Sequence, residues 1–181
     1  MSEALRALFE GDITRAHESL GPDDTLTVFD AAAFGRVERL VELITADPAV
    51  DSAVSADGFS ALHLAIFGGQ AESVRVLIAA GADVDRRSSG PIAEVPPLGT
   101  AAFVRSVALA KLLLDAGADV NGRAAGGFTA LHTAAQNEDI DLARELLARG
   151  ADPTSRSADG RTASDLASGA ELLALLARHE L

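Results

Sequence analysis

The sequence predicts an all-α solenoid, in which short helix-turn-helix repeats stack side by side and are joined by extended or hairpin-like loops. The first observation is the tripeptide Gly-Ala-Asp, which occurs at 81–83, 117–119 and 150–152, with separations of 36 and 33 residues. The second is the set of residues expected to begin the short helices, spaced by 34, 36, 33 and 33: Leu26, Ser60, Pro96, Thr129 and Thr162. A period near 33 residues is typical of stacked supersecondary repeats.

The segment 57–92 shows the pattern of one repeat. Ser60 is a good N-cap for the apolar stretch ALHLAIF, which Gly68 and Gly69 interrupt. The following stretch AESVRVLIAA has apolar residues at i, i+3 and i+4, and these predict a second helix with one buried face: Val74, Leu77 and Ile78. Gly81 should end that helix in the left-handed conformation. Neither helix can bury its apolar face within its own repeat, so the repeats have to stack.

The same pattern predicts a single domain over 1–181. Its parts are a degenerate N-terminal capping unit at 1–22, repeats at 24–56, 57–92, 93–125 and 126–158, and a C-terminal capping repeat at 159–181. Gly117 and Gly150 are expected to end second helices as Gly81 does. The repeat at 93–125 departs from the pattern, because a longer loop precedes it, Gly99 replaces a histidine, and Arg105 stands where other repeats have a turn glycine.

The chain resembles the ankyrin-repeat family. Gly-Phe-Ser-Ala-Leu-His-Leu-Ala at 58–65 and Gly-Phe-Thr-Ala-Leu-His-Thr-Ala at 127–134 match the family's Gly-x-Thr-Pro-Leu-His-x-Ala signature, and the three Gly-Ala-Asp turns match its second signature. The resemblance implies that His63 and His132 are structural residues, bonded near the capping residues Ser60 and Thr129. A zinc site would need further ligands converging on each histidine, and the chain has no cysteine.

Composition and missing motifs narrow the function. The chain has 27 acidic and 15 basic residues and a formal net charge of −12, which disfavours nucleic acid and anionic membrane surfaces. It shows no phosphate-binding loop, no HExxH, no Gly-x-Ser-x-Gly and no apolar run long enough to span a membrane, and we expect no leader. Asp119-Val-Asn121-Gly122 matches a calcium loop only in part and is interpreted as a turn. We therefore expect a cytoplasmic protein that is not an enzyme and has no catalytic residues, cofactor or metal.

The resemblance also implies where a partner binds. In the family the residue after the motif glycine, and the two residues after the Ala-Ala pair, vary and contact partners. These positions give a candidate set on the concave face: Phe34, Phe59, Phe67, Val95, Phe103, Val104, Phe128, Gln136 and Asn137. One hypothesis is a row of exposed phenylalanines that forms an apolar groove for a peptide. The alternative is that some of these rings pack between neighbouring repeats.

A second candidate site and the nature of the partner stay open. The long loop with Arg86, Arg87 and Ser88 is either a contact site or a neutral insertion. An acidic surround favours a partner protein or peptide with basic flanks: Asp57, Glu94, Glu138, Asp139 and Asp159. The predicted function is protein binding by a monomer. The alternatives are a regulatory or neutralising subunit for a basic partner protein, and a homo-oligomer that associates through its phenylalanines.

Overall fold

The structure is a computed structural model of the chain, and it describes residues 1–47, 53–90 and 94–179. Eleven α-helices and short 3₁₀ turns account for its regular elements, and the described residues contain no β-strand. The prediction of an all-α fold is confirmed. The chain divides into two compact parts, called unit 1 (1–83 and 88–92) and unit 2 (84–87 and 93–181). That the whole chain forms one domain stays a prediction.

Unit 1 contains three helix pairs, stacked in chain order. The helices are α1 (Glu3–Phe9), α2 (Ile13–Glu18), α3 (Val28–Ala33), α4 (Val37–Ala46), α5 (Ala61–Phe67) and α6 (Ala71–Ala79). α3 packs between α1 and α5, and α4 packs against α6. The largest side chains of the core are fully buried: Leu40, Leu62, Leu64, Ile66 and Leu77.

Unit 2 repeats this arrangement with two helix pairs and a terminal helix. The helices are α7 (Pro97–Phe103), α8 (Val107–Asp115), α9 (Ala130–Gln136), α10 (Ile140–Ala148) and α11 (Ala170–Ala177). α7 packs on α9, and α10 packs between α8 and α11. The repeat at 93–125 thus has a regular helix pair despite its unusual sequence. In the C-terminal repeat the first helix is reduced to a turn at 164–166.

Helix N-caps explain where the first helices begin. The hydroxyl of Ser60 accepts a hydrogen bond from the His63 N–H, and that of Thr129 accepts one from the His132 N–H. The cap of α3 is Thr27, so the predicted start at Leu26 is wrong by one residue. Periodicity placed the start at Leu26, but an aliphatic side chain cannot accept a bond from the backbone, whereas the Thr27 hydroxyl can.

The turn between the two helices of each repeat contains one residue with a positive φ. In the first three pairs it is glycine, and in the next two it is not: Gly11, Gly35, Gly69, Arg105 and Glu138. Another left-handed glycine follows three of the second helices, with φ of +95° at Gly81, +91° at Gly117 and +88° at Gly150. The turn series therefore gives a structural alignment of the repeats.

Candidate protein-interaction surface

The two motif histidines are buried and act as connectors within the fold. The His132 ring is 1% exposed, and its Nδ1 lies 2.8 Å from the Thr129 hydroxyl and 3.2 Å from the Thr129 N–H. Nε2 lies 3.0 Å from the carbonyl oxygen of Arg161 in the next repeat. Because Nδ1 accepts from a backbone N–H and Nε2 faces a carbonyl, the geometry fits the Nε2–H tautomer. His63 makes the equivalent Nδ1 bond to Ser60 at 2.8 Å.

Aspartates take the place of the histidine in two other repeats. The Asp30 carboxylate accepts bonds from the N–H and hydroxyl of Thr27, and Asp165 does the same for Thr162. Asp30 is also bonded to the Ser2 hydroxyl at 2.5 Å, which joins α3 to the start of α1. In four repeats the position is thus filled by a side chain that can accept from the cap, the exception being Gly99, and this favours a structural role over a reactive one.

In unit 2, side-chain oxygens of one connecting loop accept hydrogen bonds from the backbone of the next loop. The Asp85 carboxylate accepts a bond from the Asp119 N–H, and the Asn121 side-chain carbonyl accepts one from the Asp152 N–H. Asn121 also donates to the Gly150 carbonyl. These bonds use the polar atoms of the partial calcium-loop motif in a turn.

The phenylalanines that follow the motif glycines pack on the histidines. Phe59 is 8% exposed, and its ring centroid lies 5.9 Å from that of His63. Phe128 is half-buried, with its centroid 5.5 Å from that of His132 and the Arg161 guanidinium 5.7 Å from the ring. Val95, at the same position, is half-buried. Much of the side-chain surface of Phe59, Phe128 and Val95 is therefore buried against the loops.

In three repeats the residue directly before the left-handed position points towards the preceding repeat. A Cβ on Gly68 would lie 2.0 Å from the Ala33 carbonyl oxygen, and the Asn137 amide donates to the Ala102 carbonyl at 3.4 Å. Phe34 occupies this position in its repeat, since α3 is one residue shorter than α5. Its ring is 7% exposed and contacts His17 edge-on at 5.5 Å between centroids. Val104, the fourth member, is half-buried.

Residues two before the left-handed position are the last residues of the first helices. In unit 1 this position brings Phe9 and Phe67 together, with their centroids 4.5 Å apart, and Phe9 also contacts Phe59 at 5.6 Å. Ala33 holds the same position in the repeat between them and is buried. The rings of unit 1 therefore cover one another, so they offer less surface to a partner than an open groove would.

Unit 2 presents a different surface at the same position. Phe103 is 66% exposed, the largest value among the exposed large apolar residues of the described chain. Gln136 is exposed at the equivalent position one repeat later, and the bond from Asn137 to Ala102 fixes the spacing of the two turns. We call these residues the turn surface of unit 2: Phe103, Val104, Arg105, Gln136 and Asn137.

Two residues of these turns adopt the left-handed conformation without being glycine. Arg105 has φ of +57° and Glu138 has φ of +54°. A side chain in this conformation costs about 1–2 kcal/mol. Glu138 is stabilised there, because its carboxylate accepts bonds from the Ser168 N–H (2.6 Å), the Ser168 hydroxyl (2.8 Å) and the Gly169 N–H (3.1 Å) at the start of α11. These bonds also hold the pKa of the Glu138 carboxyl below its ordinary value.

Several carboxylates of the predicted acidic surround have intramolecular partners. Glu94 pairs with Arg87 at 3.1 Å, and Asp159 pairs with Arg161 at 2.7 Å. Asp139 caps α10, and Glu138 caps α11. Asp57 has one buried carboxylate oxygen without a hydrogen-bond partner. Attraction of a basic partner therefore depends on the net charge more than on these individual groups.

The second candidate site, in the long loop, is partly committed to packing. Arg86 is half-buried, Arg87 is exposed and paired with Glu94, and Ser88 is buried. Arg87 lines an open cleft of about 470 Å³ in unit 2, together with Asp119, Asn121 and Arg123. The Arg123 guanidinium donates to the carbonyls of Gly127 and Arg156. This cation of the cleft therefore already binds backbone atoms of the loops.

Within the described ranges, no group of three or more His, Cys, Asp or Glu residues is placed to hold a metal ion. No helix in the described part of the chain has the length and apolar character needed to cross a bilayer.

Comparison with known proteins agrees with the architecture. A family model described as ankyrin repeats in three copies matches residues 89–179, and a single ankyrin-repeat model matches residues 57–89. A search of curated proteins found no match. The two models together cover the repeats that carry both motif histidines and all three Gly-Ala-Asp turns. On these matches and on the capped helix pairs described above, the chain belongs to the ankyrin-repeat family.

Proposed function

We propose that this protein is a non-catalytic binding module that takes another protein or a peptide on the turn surface of unit 2. Ankyrin repeats are in general protein-protein interaction modules. The observation that carries the proposal is the exposure of Phe103 at a family interaction position, beside the exposed Gln136. A cysteine-free chain needs no oxidising compartment, and the proposal places it in the cytoplasm.

The energetic contribution of Phe103 sets the size of the expected effect. Burying a full phenylalanine side chain contributes about 1.5–3 kcal/mol, and only the exposed part of this ring can be newly buried. About 1–2 kcal/mol is therefore available before association costs, which corresponds to roughly 5- to 30-fold in affinity. Removing the ring should weaken binding by this factor.

The test compares Phe103→Ala with Val41→Ala as a matched control. Val41 is also an exposed apolar residue, but it lies on the outer face of α4 between Glu38 and Glu42. Both variants should keep the wild-type circular dichroism. Proteins captured by both the wild type and the Val41 variant are identified by mass spectrometry and purified. Each is then titrated against the three baits, which are the wild type, Phe103→Ala and Val41→Ala. Weaker binding by the Phe103 variant alone supports the proposal, and equal affinities for all three baits contradict it.

A second candidate function is a neutralising subunit for a basic protein, and the charge of unit 1 favours it. Unit 1 has 5 Lys or Arg residues against 14 Asp or Glu, a formal net charge of −9. All five arginines lie within 4.0 Å of a carboxylate: Arg6, Arg15, Arg36, Arg39 and Arg75. Binding that survives Phe103→Ala and weakens steeply with salt would favour this function.

The remaining alternative is a homo-oligomer that associates through its phenylalanines. Light scattering on the wild type and on the Phe103→Ala variant tests this self-association.

A further inference from the structure

We infer that Arg105 pairs with the side-chain carboxylate of an Asp or Glu in the bound partner, next to an apolar partner residue that covers Phe103. The inference rests on the proposed function and names the chemistry that the turn surface of unit 2 recognises. The position that Arg105 holds in its turn is glycine in the three earlier repeats. The structure gives Arg105 no role inside the protein that explains its conformation.

The left-handed conformation of Arg105 lacks the compensation that Glu138 has. Both residues occupy the turn position that is glycine in the three earlier repeats. Glu138 is held by its bonds to Ser168 and Gly169. The Arg105 side chain is exposed and makes no hydrogen bond or ion pair with any described residue; only its backbone N–H is bonded, to the Ala102 carbonyl. Non-glycine residues in this conformation cluster at active sites, ligand clamps and switch regions.

Arg105 is one of three cations of unit 2 whose side chains have no partner among the described residues, the others being Arg86 and Arg178. Five basic residues pair with carboxylates: Arg87, Lys111, Arg144, Arg149 and Arg161. Arg123 and Arg156 donate to backbone carbonyls of the loops. The acids on the neighbouring turn, Glu138 and Asp139, cap helices and form no ion pair with Arg105. The guanidinium therefore presents its donors to solvent.

The chemistry of the partner follows from the two neighbouring side chains. Phe103 offers an exposed apolar ring, and Arg105 offers a planar set of donors that matches a carboxylate in bidentate geometry. Unit 2 has 10 Lys or Arg residues against 13 Asp or Glu, a net charge of −3, so a single partner carboxylate meets much less repulsion than at unit 1. The complementary partner segment has an acidic residue beside an apolar one.

A random peptide library tests the inference directly. The peptides are displayed through their C-terminal ends, so that every carboxylate they offer is a side chain. The full-length baits are the wild type, Arg105→Gly, Arg105→Glu and Phe103→Ala. Arg105→Gly is the key variant, because glycine suits the left-handed position and the protein should melt at the wild-type temperature or above it. Loss of binding by this variant cannot be assigned to unfolding.

The expected result is a change in the selected sequences. Wild-type pools should contain Asp or Glu beside an apolar residue at several-fold the frequency of the unselected library. The Arg105→Gly pool should lose this acidic preference and keep the apolar one, and Arg105→Glu should select Lys or Arg at that place. A synthetic peptide from the wild-type pool should bind Arg105→Gly about 5- to 20-fold more weakly, as for loss of a charge-assisted bond at a surface.

Two outcomes would overturn the inference. The first leaves the proposed function intact, and the second contradicts it as well. If Arg105→Gly selects the same acidic residues as the wild type while Phe103→Ala loses binding, the carboxylate assignment is wrong and the proposed function stands. If no peptide is enriched on the wild type above blank support, neither the inference nor the proposed binding surface is correct.

Discussion

Replacing His132 by alanine separates a structural histidine from a reactive one. The ring joins the cap of α9 to the loop of the next repeat, through Thr129 on one side and Arg161 on the other. The substitution should therefore lower the free energy of unfolding of the protein. A surface histidine used in catalysis would have no such effect.

The magnitude can be worked out from the bonds that are lost. The buried Thr129 N–H loses its acceptor, which costs about 1–3 kcal/mol, and the bond to Arg161 contributes about 1 kcal/mol. The Arg161 carbonyl keeps the Ser157 N–H at 2.9 Å and the Ser157 hydroxyl at 3.0 Å, so it adds no further penalty. With the emptied ring volume, we expect a total loss of about 3–5 kcal/mol.

Urea unfolding followed by circular dichroism at 222 nm measures this loss, and a thermal scan should show a melting temperature lower by on the order of 10 °C. His179→Ala is the matched control. Its ring is exposed and, among the described residues, is bonded only to the Leu175 carbonyl in the same helix region, so its replacement should change the stability by less than about 0.5 kcal/mol. A loss below about 1 kcal/mol for His132→Ala would refute the structural assignment.

Two further predictions test the turns. Glu138→Gln should destabilise the protein at about pH 7, because bonds from Ser168 lower the pKa of the Glu138 carboxyl in the folded state. A lowered pKa contributes stability above the ordinary carboxyl value of 4.5 that is lost as the pH falls through the folded-state pKa, so unfolding curves should show the difference from wild type shrinking in acid; a constant difference would argue against the carboxylate. Gly68→Ala should cost about 1–3 kcal/mol or more, because the new Cβ would lie 2.0 Å from the Ala33 carbonyl. Calorimetry should show a smaller loss for Gly122→Ala, where the nearest atom is 3.1 Å away, and equal losses would be evidence against this close approach.

The repeat architecture could be predicted because local chemistry sets it. Cap residues, apolar spacing and turn glycines each act within a few residues, so the positions of Ser60, Thr129 and Gly81 follow from the sequence. Periodicity alone misplaces the start of α3 by one residue, because the N-cap is Thr27. Thr27 and Asp30 have the same spacing as Thr162 and Asp165, and this signal identifies the correct cap.

The exposure of each phenylalanine could not be predicted in the same way. It depends on a one-residue difference in the length of α3, which moves Phe34 to the position that points at the preceding repeat. It also depends on the contact of Phe9 with Phe67, which are far apart in sequence. Phe103 keeps its exposed surface in unit 2. Position in the repeat alone does not distinguish these cases.

The left-handed Arg105 was only partly visible in the sequence. Its place in the glycine series is evident from the alignment, but a different turn could have accommodated it. The structure keeps the turn and places the arginine in it, with φ of +57°. The missing intramolecular partner is a property of the folded chain and no sequence pattern reports it.

The most direct test of the binding account is hydrogen-deuterium exchange on the full chain with and without a purified partner. The account predicts slower exchange at residues 103–106 and 136–139, the turns of unit 2, with little change in the outer helix α8 (Val107–Asp115) beyond its first turn. Protection confined to the second helices of the pairs in either unit, with unchanged exchange at both turns, would contradict the binding account.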